Sequence, residues 1–200
     1  MASIPARRTN RERTETTRAE LIAAARRLFI EKGYADTATP DIVAAAGLTR
    51  GALYHHFTDK QALFQAVVEA EAQAVADEID RASPESLAPR EALVRGGDAF
   101  LSAMAEPGRT RLLLVDGPAV LGRAAMDEID GRHATRSLRE GLAFAASEGA
   151  LPGTIPAEAL AQLLSSAFDR AAVAIGAGAD RSEYQAALAC LIDGILKGAK

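Results

Sequence analysis

The sequence predicts an all-α protein, on three observations. Apolar side chains recur every three or four residues instead of alternating. Ala, Leu, Glu, Arg and Gln give strong helix propensity throughout. Pro and Gly fall in short punctuating pairs, Pro107-Gly108, Gly117-Pro118 and Pro152-Gly153, with no strand-like run between them. About nine helices are expected: an N-terminal three-helix unit followed by a C-terminal helical bundle.

Residues 1–16 carry Pro5, Arg7, Arg8, Arg11 and Arg13 and hardly any apolar side chain, and read as a flexible basic arm. Helix 1 is expected from Thr17 to about Lys32, with Leu21, Ala25, Leu28 and Phe29 as its stripe and Gly33 as its stop. Thr39 can cap the second helix, with Pro40 at the first helical position, and Gly47 ends it. Thr49 offers another cap for the two turns Arg50 to His56, after which Phe57 enters the core. Thr58 and Gln61 have capping-box spacing. They open a long helix to about Ala82, marked by Phe64, Val68, Ala72, Val75 and Ile79. Beyond Ser83, Pro84 and Pro89, helices are expected near 90–105, 109–116, 118–149, 156–179 and 182–197. Gly122, Gly131 and Gly141 each cost up to about 1 kcal/mol relative to Ala and mark where the 118–149 segment kinks or splits.

Composition narrows the function classes. The chain has 200 residues, 48% hydrophobic and 25% charged, which can bury a core without a staple. Cys190 is the single cysteine, so no disulfide framework exists. The longest apolar run, Ala171 to Ala179, is too short to span a bilayer, and the Arg-rich start does not read as a secretory signal, so a cytoplasmic location is expected. The net charge of -4 divides unevenly, +3 over residues 1–60 and -7 over the rest. A basic end suits a polyanion, although this excess alone does not identify one.

Two short helices joined through Ala46-Gly47-Leu48-Thr49 have the form of a helix-turn-helix, whose second helix lies in a DNA major groove. Gly47 permits the positive φ that ends the first helix. Ordinary helical hairpins share this turn. The residues around it are more specific: Ala24, Leu28, Phe29, Gly33 and Tyr34, then Thr39, Ile42, Ala46-Gly47-Leu48-Thr49, Gly51, Leu53-Tyr54, His56-Phe57, Lys60 and Leu63. Thr17 to Leu63 resembles the DNA-binding domain of the TetR family of transcriptional repressors, over about a quarter of the chain without a gap. The resemblance implies a helix-turn-helix domain at 17–63 and a ligand-binding and dimerisation domain at 64–200.

On the recognition helix Arg50, Gly51, Ala52, Tyr54 and His55 are the candidate base readers. Arg50 is foremost, because its fork can donate to both guanine acceptors, while Gly51 and Ala52 allow close approach. The resemblance places phosphate contacts at Thr39, Thr49, Tyr54, His56 and Lys60, all able to donate to an anionic oxygen. Tyr54 could instead be a core aromatic, and His56 could merely pack on Phe57. Pro40 departs from relatives with a polar side chain there, leaving sequence reading to the recognition helix and to Arg7, Arg8, Arg11 and Arg13. His55 and His56 point about 100° apart on a helix, so no metal site is expected.

In the 156–179 helix Leu160, Leu163, Leu164, Ala167, Phe168, Ala171 and Ile175 read as a core face. A second stripe, Gln162, Ser166, Asp169, Val173 and Gly176, with Leu188, Leu191, Ile192 and Ile195 of the last helix, predicts a four-helix dimer interface unless it simply faces water. Candidate pocket residues are Phe100, Met104, Met126, His133, Phe144 and Phe168, although each also fits a plain core position.

The expected function is a homodimeric transcriptional regulator, a repressor of a palindromic DNA operator, released when a small-molecule effector tilts the long fourth helix. No cofactor is expected. A sequence-tolerant architectural DNA-binding protein is the alternative. An all-α enzyme ranks lower, because no nucleophile, base and orienter stand out.

Overall fold

The computed structural model describes residues 10–84, 86–151 and 155–197. Among them every regular element is helical: α1 (Asn10–Lys32), α2 (Thr39–Ala46), α3 (Arg50–His56), α4 (Lys60–Ala82), α5 (Pro89–Met104), α6 (Arg109–Arg111), a π-helical turn (Leu112–Asp116), α7 (Gly117–Leu121), α8 (Arg123–Arg132), α9 (Ala134–Ser147), α10 (Ala157–Gly176) and α11 (Arg181–Lys197). None is long and apolar enough to cross a membrane. The chain divides into two compact units, one ending at Val68 and the other beginning at Glu69.

In the first unit Leu21, Ala25, Phe29, Ile42, Leu53, Leu63 and Phe64 are fully buried. Phe29, Tyr34 and Phe64 form an aromatic cluster with ring centroids 5.0 to 5.6 Å apart. Three local expectations are corrected. Helix α1 begins at Asn10 instead of Thr17, so Arg11 and Arg13 are helical, with Arg11 bonded to Glu15 at 2.9 Å; Arg7 and Arg8 lie outside the described residues. The α2 cap is Ala38, which has no side-chain acceptor, so no side-chain cap bond forms; Thr39 is already the first residue inside the helix, with Pro40 second. The α4 cap is Asp59, whose Oδ1 accepts from the Ala62 amide at 2.7 Å, in place of Thr58.

In the second unit the expected 118–149 helix is three helices, broken at Gly122 (φ +85°) and at His133. The expected 109–116 helix is one α-turn followed by the π-turn, which Gly117 closes by donating its amide to the Leu112 carbonyl. A Cβ at Gly117 would stand 2.9 Å from that carbonyl, so the wide turn requires glycine there. Gly97 is constrained as tightly, for a Cβ would stand 2.6 Å from the Phe168 ring.

Candidate DNA-binding surface and C-terminal cavities

The turn between α2 and α3 is built by Gly47 at φ +66°, whose amide bonds back to Ala44 while Leu48 N donates to the Val43 carbonyl at 3.0 Å. This left-handed stop satisfies the last carbonyls of α2 and redirects the chain. Thr49 then caps α3, its Oγ1 accepting from the Ala52 amide at 3.2 Å. Leu53 is buried under the pair. The opposite side of α3 is open: Arg50, Gly51, Tyr54 and His55 are exposed and Ala52 partly so. Tyr54 is 53% exposed, which excludes the core-aromatic alternative.

The anion-contact candidates separate. Thr39 is partly exposed, and among the described residues its hydroxyl takes no cap role, which leaves it available to a phosphate. Thr49 accepts with its oxygen and keeps its proton to donate. His56 packs its ring against Phe57 at 6.3 Å. Burial first, then repulsion from His55 and Arg18, holds His56 below the ordinary histidine value, so its ring is neutral at pH 7 and keeps one N–H to donate. Arg18, with its guanidinium 5.3 Å from the Phe57 ring, is a cation on this surface that the motif pattern did not single out, because it sits on α1.

Lys60 is placed differently. Its ammonium donates to the carbonyls of Tyr34 at 2.8 Å, Thr37 at 3.1 Å and Ala35 at 3.4 Å, and stands 4.2 Å from the Tyr34 ring centre. All three N–H bonds are occupied within the chain, so Lys60 fastens the α1–α2 connection instead of reaching a phosphate. Nothing in the local sequence signals this, because the carbonyls come from a loop 23 to 26 residues earlier. Replacing Lys60 with Met is expected to lower stability by about 1 to 3 kcal/mol, read by urea unfolding, while the slope of log Kd against log salt stays unchanged. A slope shallower by about one unit would restore a phosphate contact.

Two cavities lie within the second unit among the described residues. The first, about 440 Å³, is lined by Phe100, Phe144 and Phe168 of the expected set, with Leu93 and Leu138. The second, about 360 Å³, takes Met104 and Met126, and Phe100 and Ala134 line both. His133 lines neither. Its Nε2 lies 2.9 Å from Glu69 Oε2, because the break between α8 and α9 removes the continuous face that would have turned it inward.

The expected dimer stripe is redistributed. Leu188 and Ile192 are buried in this unit's own core, and Asp169 and Val173, half-buried, line the second cavity together with Ser166. Leu163, expected in the core, is instead 69% exposed, and Leu191 is 51% exposed. Gln162, Ser166 and Gly176 are exposed, and Ile195 is half-buried. The error is angular: about 100° per residue separates Leu163 from Leu164, and only Leu164 points inward.

Residues 21–67 match the model of bacterial regulatory proteins of the tetR family, and residues 90–199 match the tetracyclin repressor-like C-terminal domain. A TetR-family transcriptional regulator from Pectobacterium atrosepticum is 36% identical, with a TM-score of 0.73 over 96% of this chain and 97% of that one. The transcriptional regulator TtgR of Pseudomonas putida is 45% identical over 62 residues, 31% of this chain and 30% of its own length. The transcriptional repressor BepR of Brucella suis is 44% identical over 62 residues, 31% and 29% of the two chains. The match thus spans under a third of these two relatives. With the C-terminal model covering more than half of the chain and the P. atrosepticum relative nearly all of it, the protein belongs to the TetR family of transcriptional regulators.

Proposed function

We propose that this protein is a repressor that binds a palindromic operator as a homodimer and releases it when a small molecule enters the second unit. The observation that carries the DNA part is the open face of α3, where Arg50, Tyr54 and His55 are exposed above a buried Leu53 and a glycine turn. Pairing of two copies is supported by Leu163 and Leu191, large apolar side chains left in solvent on α10 and α11 beside the small exposed residues Ala187, Cys190 and Gly194. Release is supported by the two cavities, both lined in part by α4.

Selection of binding sites from a random duplex pool at fixed salt tests this reading. An enriched inverted repeat, its half-sites about one helical turn apart or a multiple of it, is the expected result. Recovery of unrelated sequences, each bound as tightly as scrambled duplex, overturns it in favour of a sequence-tolerant DNA-binding protein.

A further inference from the structure

The second cavity combines an apolar wall with an unmet demand for positive charge. Its wall is built from Val75, Phe100, Met104, Leu113, Met126 and Ile129. At about 360 Å³ it falls within the size range of small-molecule sites, roughly 300 to 1,000 Å³. Three carboxylates line this space, Asp130 and the exposed Asp127 on α8 and Asp169 on α10. Asp130 Oδ2 accepts from the hydroxyls of Thr135 and Ser165, which hold that carboxylate in place. Asp169 receives no hydrogen bond from any described residue, although it is partly buried. Removing a carboxylate from water without supplying donors is costly. Burial, and then the charge of Asp130, accordingly push the Asp169 carboxyl up to about 7, while Arg123 acts weakly in the other direction.

We propose that this cavity takes an organic cation, an amine carried on an apolar body, with its nitrogen between Asp130 and Asp169 and its body against Phe100, Met104 and Met126. The inference rests on the effector-released reading above and names the effector's class. An ammonium supplies the donors that Asp169 lacks and relieves the repulsion between the carboxylates. An anion is disfavoured: the cations Arg123 and Arg170 are exposed, and three carboxylates, Asp127, Asp130 and Asp169, line the same cavity. Arg123, Asp127 and Asp130 of α8 and Arg170 of α10 are the charged groups that share the cavity with Asp169; α4, α5 and the π-turn contribute only apolar lining. With Asp169 titrating near neutrality, amine binding strengthens from pH 6 to pH 8 and releases a proton at the acid end.

Calorimetric titration of the full chain with three probes of one shape tests the proposal: 4-phenylbutylamine, 4-phenylbutanol and 4-phenylbutyrate. The amine is expected to bind about tenfold or more tightly than the alcohol, with the carboxylate weakest. Asp169→Asn, which keeps the side chain's shape and removes its charge, should collapse the amine preference to about threefold or less while alcohol affinity and the thermal midpoint are retained. Equal affinity for amine and alcohol, tighter binding of the carboxylate, no binding of any probe, or an undiminished preference in Asp169→Asn overturns it. Operator binding by the same preparation, measured without probe, separates the two readings. Sequence-specific DNA binding with no amine preference sinks only the ligand class, and amine binding without DNA binding sinks only the repressor.

Discussion

Replacing Arg50 with Ala is expected to weaken binding at the selected operator by about 1 to 3 kcal/mol, roughly a five- to 150-fold rise in Kd, with a much smaller rise on random duplex. The residue stands at the first position of α3, exposed, directly after a cap that fixes the direction of the helix. Gly51 follows it and presents no side chain to hold the helix off a base edge; a Cβ there would meet only Thr49 Oγ1 at 3.8 Å. A bidentate donor on a close-approaching helix reads guanine O6 and N7 together, and Lys cannot reproduce that fork. Arg50→Lys should therefore lose most of the same discrimination while keeping the charge. Fluorescence anisotropy at one salt concentration measures both. An equal loss on specific and random DNA would assign Arg50 to the phosphate backbone instead.

The site was legible where chemistry is local. Gly47, Thr49 and Leu53 lie within seven residues, and their turn, cap and buried anchor follow from the backbone needs of two short helices. Lys60 was not legible in the same way, because its partners are carbonyls of residues 34 to 37 that converge on it only after α1 and α4 pack. The second unit shows the same division. Its helices and their Pro and Gly punctuation could be read from periodicity. Gly131 signals a break in the 118–149 segment, but its exact place could not be read, since the break falls two residues later at His133, with φ -119° and ψ -105°. Faces suffered most: a shift of one residue turns a side chain by about 100°, which is how Leu163 came to be expected inside and Leu188 outside.

Arg109 went wholly unanticipated, and its replacement carries the largest expected effect on stability. The side chain is buried at the start of α6, with Nε donating to Glu71 at 2.9 Å and one terminal nitrogen donating to the Ala103 carbonyl at 2.8 Å and lying 3.4 Å from Glu78. Glu71 and Glu78 are seven residues apart on α4, two turns along one face, so a single guanidinium bridges both. Glu71 is as deeply buried as Arg109, whereas Glu78 is half-exposed. Arg109→Met retains most of the stem's volume but withdraws the charge, leaving Glu71 in a low-dielectric site without that compensation. A loss of about 3 to 5 kcal/mol is expected, measured by urea unfolding at pH 7. Adding Glu71→Leu should recover most of it, because removing both charges also removes the cost of burying them, while the Ala103 carbonyl loses only one neutral acceptor's partner. A single-variant loss below about 1 kcal/mol would mean that the pair behaves as a solvated surface bridge. The consequence reaches the second cavity: Leu113 and Leu114, which line it, belong to the π-turn that begins three residues after Arg109. In Arg109→Met that turn loses its tie to α4, so amine affinity should fall together with stability, and Glu71→Leu should restore stability without restoring the tie.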